Sequence, residues 1–461
     1  MKLPRTSLLL TDLYQLTMLQ AYFDQGMNDT AVFEFFVRKL PPGRNFLMAA
    51  GLAQALDFLE DLRFTPEELD WLHGCGRFHN GFVASLQTLH FTGDVHAMPE
   101  GTVFFPDEPI LRVVAPLAQA QLVETRLINL LQLQTMVASK AARARLAAPG
   151  KLLVDFGLRR AHGAEAGLLS ARASFIAGFD GSSNVLAGVQ WELPLYGTMA
   201  HSFVQVHDTE IHAFEHFTRS HPGASTLLID TYDTEAAARH LLPLARRLAA
   251  DGITLAAVRL DSGDLAAHAH QVRRILDDDG LNGVRIFASG NLDEYRLSEL
   301  LAAGAPIDGF GVGTRMNTAA DYPYLDCAYK LQEYAGLARR KLSEGKATWP
   351  GRKQVYRSLG ADGLMAGDVL TLTDDDAAPG EPLLVPVMRQ GRRLSPSPDV
   401  HTVRDHARAE LARLPAALRG LAPASKPYGV CIAPALITLA AEVDWRTACW
   451  HSAAALNPDE H

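Results

Sequence analysis

The chain has 461 residues, too many for one ordinary hydrophobic core, so two or more domains are expected. Hydrophobic residues make up 48% and charged residues 21%, a globular composition, and the net charge of −9 leaves no electrostatic footprint for nucleic acid. No window approaches the roughly 20 uncharged apolar residues of a membrane span, so no membrane partner is expected either.

The start, MKLPRTSLLLTDLYQLTM, holds a short apolar run that Asp12 breaks, with no small-residue cleavage site after it; it does not read as a secretory leader. Residues 11–25 space their apolar side chains near 3.6 and begin with Thr-Asp, which predicts a capped helix. AVFEFFVRKLP predicts a strand, GLAQALDFLEDL and TPEELDWLHG predict helices, and residues 90–116 predict a β region rich in Gly, Pro and β-branched side chains. LVETRLINLLQLQTMVASKAARARLAA predicts one long amphipathic helix.

Near residue 150 the pattern changes. Seven short apolar runs, KLLVDFG, SFIAGFDG, YGTMAHSF, TLLIDTYD, LAAVRLDSGD, VRIFASGN and IDGFGVGT, recur at strand–helix intervals. Alternating β and α with buried strands predicts a parallel sheet. Seven units suggest a closed or nearly closed TIM-like α/β barrel, with an open doubly wound sheet as the alternative. Each run ends in polar residues: Asp155, Asp180, His201, Asp230, Arg259 with Asp261, Ser289 with Asn291, and Thr314. In a parallel barrel those ends share the face that carries active sites. Beyond residue 330, YKLQEYAG predicts a strand, a basic turn-rich stretch follows, and DDDAAPGEP (374–382) is an exposed loop.

Several residues can carry chemistry. The turns FDGSSNVLAG and GFGVGTRM suit either phosphate binding by backbone N–H groups or plain turn geometry. Arg159 and Arg160 follow Asp155-Phe156-Gly157; Arg160 fits a solvated surface, whereas Arg259 lies in an apolar run and needs a partner or an anionic ligand. Asp230 and Asp261 suit a magnesium pyrophosphate or a helix cap. Of seventeen histidines, His201 is the one placed to act as acid, base or phosphoryl acceptor. HExxH and GxSxG are absent. Cys75, Cys327, Cys431 and Cys449 are far apart with no CxxC pair, which fits reduced thiols and a cytoplasmic location.

Taken together, TDLYQLTM, FEFFVRKLPPGRNFLMAAGL, DFGLRRAHG, GFDGSSNVLAG, GTMAHSF, LLIDTYDT, VRLDSGDL, GVGTRM, CAYKL and KLSEGKATWPGRKQVYR resemble the nicotinate phosphoribosyltransferases. They run in order as far as residue 357, and no motif is matched beyond about residue 360. The resemblance implies an irregular α/β barrel of the type II phosphoribosyltransferase kind over 131–330, and a second α+β domain built from both chain ends, 1–130 and 331–461. It implies a homodimer with shared active sites that makes nicotinate mononucleotide and pyrophosphate from nicotinate and phosphoribosyl pyrophosphate.

The resemblance also implies roles. Phe156 and the partner's Tyr14 sandwich the pyridine ring, and Arg259, with Thr198 nearby, faces the carboxylate. Arg159, Asp261, Gly313, Thr314 and Lys330 hold the phosphates. His201 is phosphorylated by ATP, and Asp230 can orient its imidazole. Ser183 stands where nicotinamide enzymes carry an acid, which favours nicotinate because a serine hydroxyl can donate to a carboxylate. Mg²⁺ is expected with the pyrophosphate substrate and not in a permanent cage. The alternatives are a nicotinamide or quinolinate phosphoribosyltransferase, or a non-catalytic pyridine- or nucleotide-binding relative.

Overall fold

The computed structural model describes residues 7–375 and 379–456, so positions 1–6 of the start and 376–378 of the expected loop lie outside the described residues. The chain divides into two compact units, one formed by residues 1–136 with 324–461 and the other by 137–323.

The two-segment unit carries a seven-stranded antiparallel sheet. Thr30–Val37 sits between Pro109–Pro116 and Cys327–Tyr334, so strands nearly 300 residues apart share a ladder. Seven of the eight residues in Thr30–Val37 are buried, which is why AVFEFFV is apolar at every position but Glu34. A second sheet joins Lys353–Leu359, Met365–Leu372 and Val430–Ile432. Helix Pro66–Gly74 starts with a full capping box between Thr65 and Glu68. Helix Leu13–Asp24 does not start as expected. Its N-cap residue Asp12 makes no side-chain cap bond, and Thr11 donates its hydroxyl to Thr125.

The continuous unit is α/β. Its strands are β1 (Leu152–Asp155), β2 (Gly181–Ser182), β3 (Thr226–Leu228), β4 (Ala257–Leu260), β5 (Arg285–Ser289) and β6 (Gly309–Val312). They form one parallel sheet in the order β2-β1-β6-β5-β4-β3. Two of the seven expected strands are absent as drawn. Ser174-Phe175-Ile176 ends helix α1 (Ala164–Ile176), and only Gly181–Ser182 is extended. Helix α1 is buried without a break from Gly167 to Ile176, and a helix apolar on all sides has the same short-run signature as a buried strand. YGTMAHSF contributes no strand: Leu195 makes one isolated bridge with Ser182, and His201 opens the short helix His201–Gln205.

Each later turn holds two polar residues with separate tasks. Asp233, Asp264 and Asp293 cap the helices that follow, accepting from the N–H groups of Ala236, Ala266 with Ala267, and Arg296. The residues three or four positions earlier, Asp230, Asp261 and Ser289, are thereby left for other partners. Asp261, which sequence alone left open as a cap, is not one.

Candidate active site

The strand ends of the parallel sheet, with the loop before His201, bring Phe156, Thr198, Arg259, Asp261 and Ser289 into one cluster centred on Arg259. Its guanidinium donates from Nε to Ser289 Oγ at 2.8 Å, from Nη1 to Thr198 Oγ1 at 2.8 Å and from Nη2 to Asp261 Oδ1 at 2.7 Å. Its Cζ lies 5.5 Å from the centroid of the Phe156 ring. The side chain is only 14% exposed, so this charge is compensated by Asp261 and lies within cation–π reach of an aromatic face. Ser289 donates in turn to Asp261 Oδ1, closing a triangle that fixes the fork.

Phe156 owes its seat to glycines of the GFGVGT run. A Cβ on Gly311 would come 2.5 Å from the Phe156 ring, and one on Gly313 would come 2.8 Å from the Phe156 carbonyl oxygen. These glycines therefore make room for the aromatic residue. Gly313 is also the N-cap of the one-turn helix Thr314–Asn317, where Thr314 is exposed.

Asp155, absent from the expected set of ligands, organises the next turns. Its Oδ1 accepts from Gly157 N and Asn317 Nδ2, both at 2.8 Å, and its Oδ2 accepts from Ser182 Oγ at 2.9 Å. Burial pushes its carboxyl above the usual range, while the Gly157, Ser182 and Asn317 donors pull the other way. Ser183 does not present a free donor as expected: its N–H and hydroxyl both donate to the Asp155 carbonyl, at 2.9 and 3.2 Å. The signal was available in the sequence, since an Asp at the end of an apolar run followed by Phe-Gly must bury its carboxylate or point it into a site.

His201 has Nδ1 3.1 Å from Thr231 Oγ1. The imidazole is thus oriented by Thr231 and not by Asp230. Asp230 instead accepts through Oδ2 from Asp261 N at 2.9 Å and Ser262 Oγ at 2.6 Å, because the tight turn after β4 folds those donors back onto it. Its Oδ1 is buried without a hydrogen-bond partner among the described residues.

Beside Asp261 lies a cavity of about 460 Å³, lined by Ser262, Gly263, Gly290, Asn291, Asp293, Arg296 and Arg315 among others. Gly290 is obligatory there: its φ is +94° and a Cβ would meet the Asp261 carbonyl oxygen at 2.1 Å. Arg315 pairs with Asp293 at 2.6 Å. Arg159 lies in the turn Leu158–Arg160, exposed and without an ion pair among the described residues, and Arg160 beside it is exposed likewise.

Tyr14 and Lys330 belong to the two-segment unit. Tyr14 is exposed on helix Leu13–Asp24; burial, then Glu124, raises its phenol. Lys330 Nζ lies 3.3 Å from Glu124 Oε1, and Glu124 Oε2 also accepts from Gln15 and Gln121. Glu124 was not anticipated, being one polar residue on a long helix.

Among the described residues no group of three or more His, Cys, Asp or Glu side chains is arranged to hold a metal ion, and no helix is long and apolar enough to cross a membrane.

Three family models match the chain in succession: the nicotinate phosphoribosyltransferase (NAPRTase) N-terminal domain over residues 9–132, the NAPRTase family over 152–337, and the nicotinate phosphoribosyltransferase C-terminal domain over 376–440. The last match corrects the expectation that likeness stops near residue 360. A nicotinate phosphoribosyltransferase of Mycobacterium tuberculosis is 50% identical over 430 residues, 93% of this chain and 92% of that protein. The Bacillus subtilis nicotinate phosphoribosyltransferase is 40% identical over 79% of this chain and 76% of its own length. Among solved structures, human nicotinic acid phosphoribosyltransferase superposes with a TM-score of 0.85 at 31% identity, covering 94% of this chain and all of that one. A nicotinate-nucleotide pyrophosphorylase from Pyrococcus furiosus gives 0.71 at 26% identity, over 88% and 95% of the two chains.

Proposed function

This chain belongs to the nicotinate phosphoribosyltransferase family, and from that premise we propose that it joins nicotinate to the ribose of phosphoribosyl pyrophosphate, releasing pyrophosphate. The observation that carries the reading is Arg259, held beside Phe156 by Ser289, Thr198 and Asp261. A flat guanidinium beside an aromatic face suits a planar ring bearing a carboxylate.

The chemistry needs little from the protein beyond placement and charge. The anomeric carbon loses pyrophosphate through an oxocarbenium-like state and the pyridine nitrogen attacks it. Phe156 supports the ring, with Tyr14 from a partner subunit on its other face in a homodimer with shared sites. The cavity beside Asp261 and the turn at Gly313 and Thr314 receive the phosphates, with Arg159 and Lys330 as counter-charges. Mg²⁺ bound with the pyrophosphate substrate would screen the leaving charge, and Asp230 would be the carboxylate suited to hold it. The parallel sheet is read as the core of an irregular barrel, and the enzyme as cytoplasmic.

ATP coupling is proposed through phosphorylation of His201. With Nδ1 beside Thr231, its Nε2 is the nitrogen left to accept a phosphoryl group.

The test is pyrophosphate release from purified protein with phosphoribosyl pyrophosphate and Mg²⁺, offering nicotinate, nicotinamide or quinolinate, each with and without ATP. Turnover with nicotinate alone is expected, with ATP stimulation that disappears in His201→Ala. Preference for another base would overturn the reading of the Arg259 pocket. Stimulation that survives in His201→Ala would overturn the role of the histidine.

A further inference from the structure

Resting on that function, we propose that Asp155 and Asn317 form a positioning strap that couples the turn supporting the nicotinate ring to the turn receiving the ribose phosphate. Neither residue is placed to touch substrate itself.

Three segments meet at the Asp155 carboxylate. Gly157 N belongs to the turn that carries Phe156 and Arg159, Ser182 Oγ to the turn that carries Ser183, and Asn317 Nδ2 to the helix that begins at Thr314. The residues come from positions 155–157, 182 and 317, and this carboxylate joins their side chains and turns beyond the backbone bonds Phe156 N to Val312 O and Ser183 N to Asp155 O. Asp155 is fully buried and Asn317 is 2% exposed, which gives the bonds a dry setting where they hold geometry firmly.

The packing is built around the same link. A Cβ on Gly157 would fall 1.9 Å from Asn317 Nδ2, so the glycine is required for the amide to reach Asp155. Across the turn, Gly313 leaves room for the Phe156 carbonyl. Displacing Thr314 therefore moves Asn317, and through Asp155 the backbone that aims Phe156. Ordering of one turn by its substrate then lowers the cost of ordering the other, which is positive coupling between nicotinate and phosphoribosyl pyrophosphate.

The experiment compares full-length wild type with Asn317→Ala and Asn317→Asp, measuring kcat and both KM values from about pH 6 to about pH 8, with thermal unfolding as a control. In Asn317→Ala both KM values rise, each by roughly tenfold, the size expected for a lost bond to a charged group. Saturation with one substrate also ceases to lower the KM of the other. In Asn317→Asp two carboxyls share the contact and one must hold a proton, so kcat/KM recovers toward wild type as the pH falls. Ala-variant KM values within about twofold of wild type would overturn the strap, as would an Asp-variant defect that does not change with pH. The Asp variant carries the test if the Ala variant fails to fold. A wild type without nicotinate turnover would overturn the functional reading and this one together, whereas an active wild type with unaffected variants overturns the strap alone.

Discussion

Arg259 shows how one side chain acquires a function from its partners. A guanidinium in an apolar run must be paired, and here three acceptors on three different segments use all its nitrogens. Lysine keeps the charge but has no planar fork, so it cannot meet Ser289, Thr198 and Asp261 together. Arg259→Lys is expected to raise the KM for nicotinate by roughly 10- to 100-fold, from lost charged hydrogen bonds of about 1.5–3 kcal/mol, with the KM for phosphoribosyl pyrophosphate much less affected. Steady-state kinetics with each substrate varied in turn checks this, and an equal rise in both constants would contradict the assignment. The need of Arg259 for a partner was legible in the sequence, since it stands in an apolar run. The seat of Phe156 was not, because the glycines that make room for it stand some 155 positions away and read locally as an ordinary turn.

At the scale of elements, the turns after the parallel strands divide their polar residues between bonding neighbouring turns and starting a helix. The helix Glu210–Ser220 adds a titrating feature at its first turn. Glu210 is half-buried, its Oε2 has no hydrogen-bond partner, and burial followed by the charge of Asp233 raises its pKa from 4.5 to about 7. A carboxyl whose folded pKa lies above its unfolded value favours the fold while protonated. Its contribution is complete below about pH 4.5 and is lost as the pH rises through about 7. Glu210→Gln is expected to flatten the fall in stability over that interval and to be more stable than wild type near neutral pH. Urea midpoints at several pH values test it, and parallel pH profiles for the two proteins would refute it. The same scale holds the clearest misreading. SFIAGF and GTMAHSF are short apolar runs, and a run of that length cannot separate a buried strand from a buried helix; the helix-forming residues of AEAGLLSAR, upstream, decide the first case.

For the molecule as a whole, the two-segment unit depends on charges that join the beginning of the chain to its last third. Lys353 Nζ lies 2.7 Å from Glu34 Oε2, Glu34 Oε1 accepts from Lys353 N at 2.9 Å, and both side chains are almost fully buried. Arg112, also buried, is drawn toward the same carboxylate. Glu34→Ala would strand two buried cations, and a loss of about 3–5 kcal/mol is expected, read as a lower denaturant midpoint for this unit. A midpoint unchanged from wild type would show that the pair contributes nothing to joining the segments.

The sequence by itself determined five of the seven strand positions expected through residues 150–320, the polar residues that end those strands, and the glycines without which the turns could not close. Those properties arise from interactions within about 20 residues, where periodicity and turn chemistry act directly. Only the tertiary structure decided that Thr231 orients His201, that Ser183 donates to Asp155, that three acceptors hold Arg259, and that Thr30–Val37 pairs with Cys327–Tyr334. Those outcomes depend on register and side-chain reach between segments tens to hundreds of residues apart. No local pattern records them, because a hydrogen-bond donor in a sequence shows its need for a partner but not the partner's position.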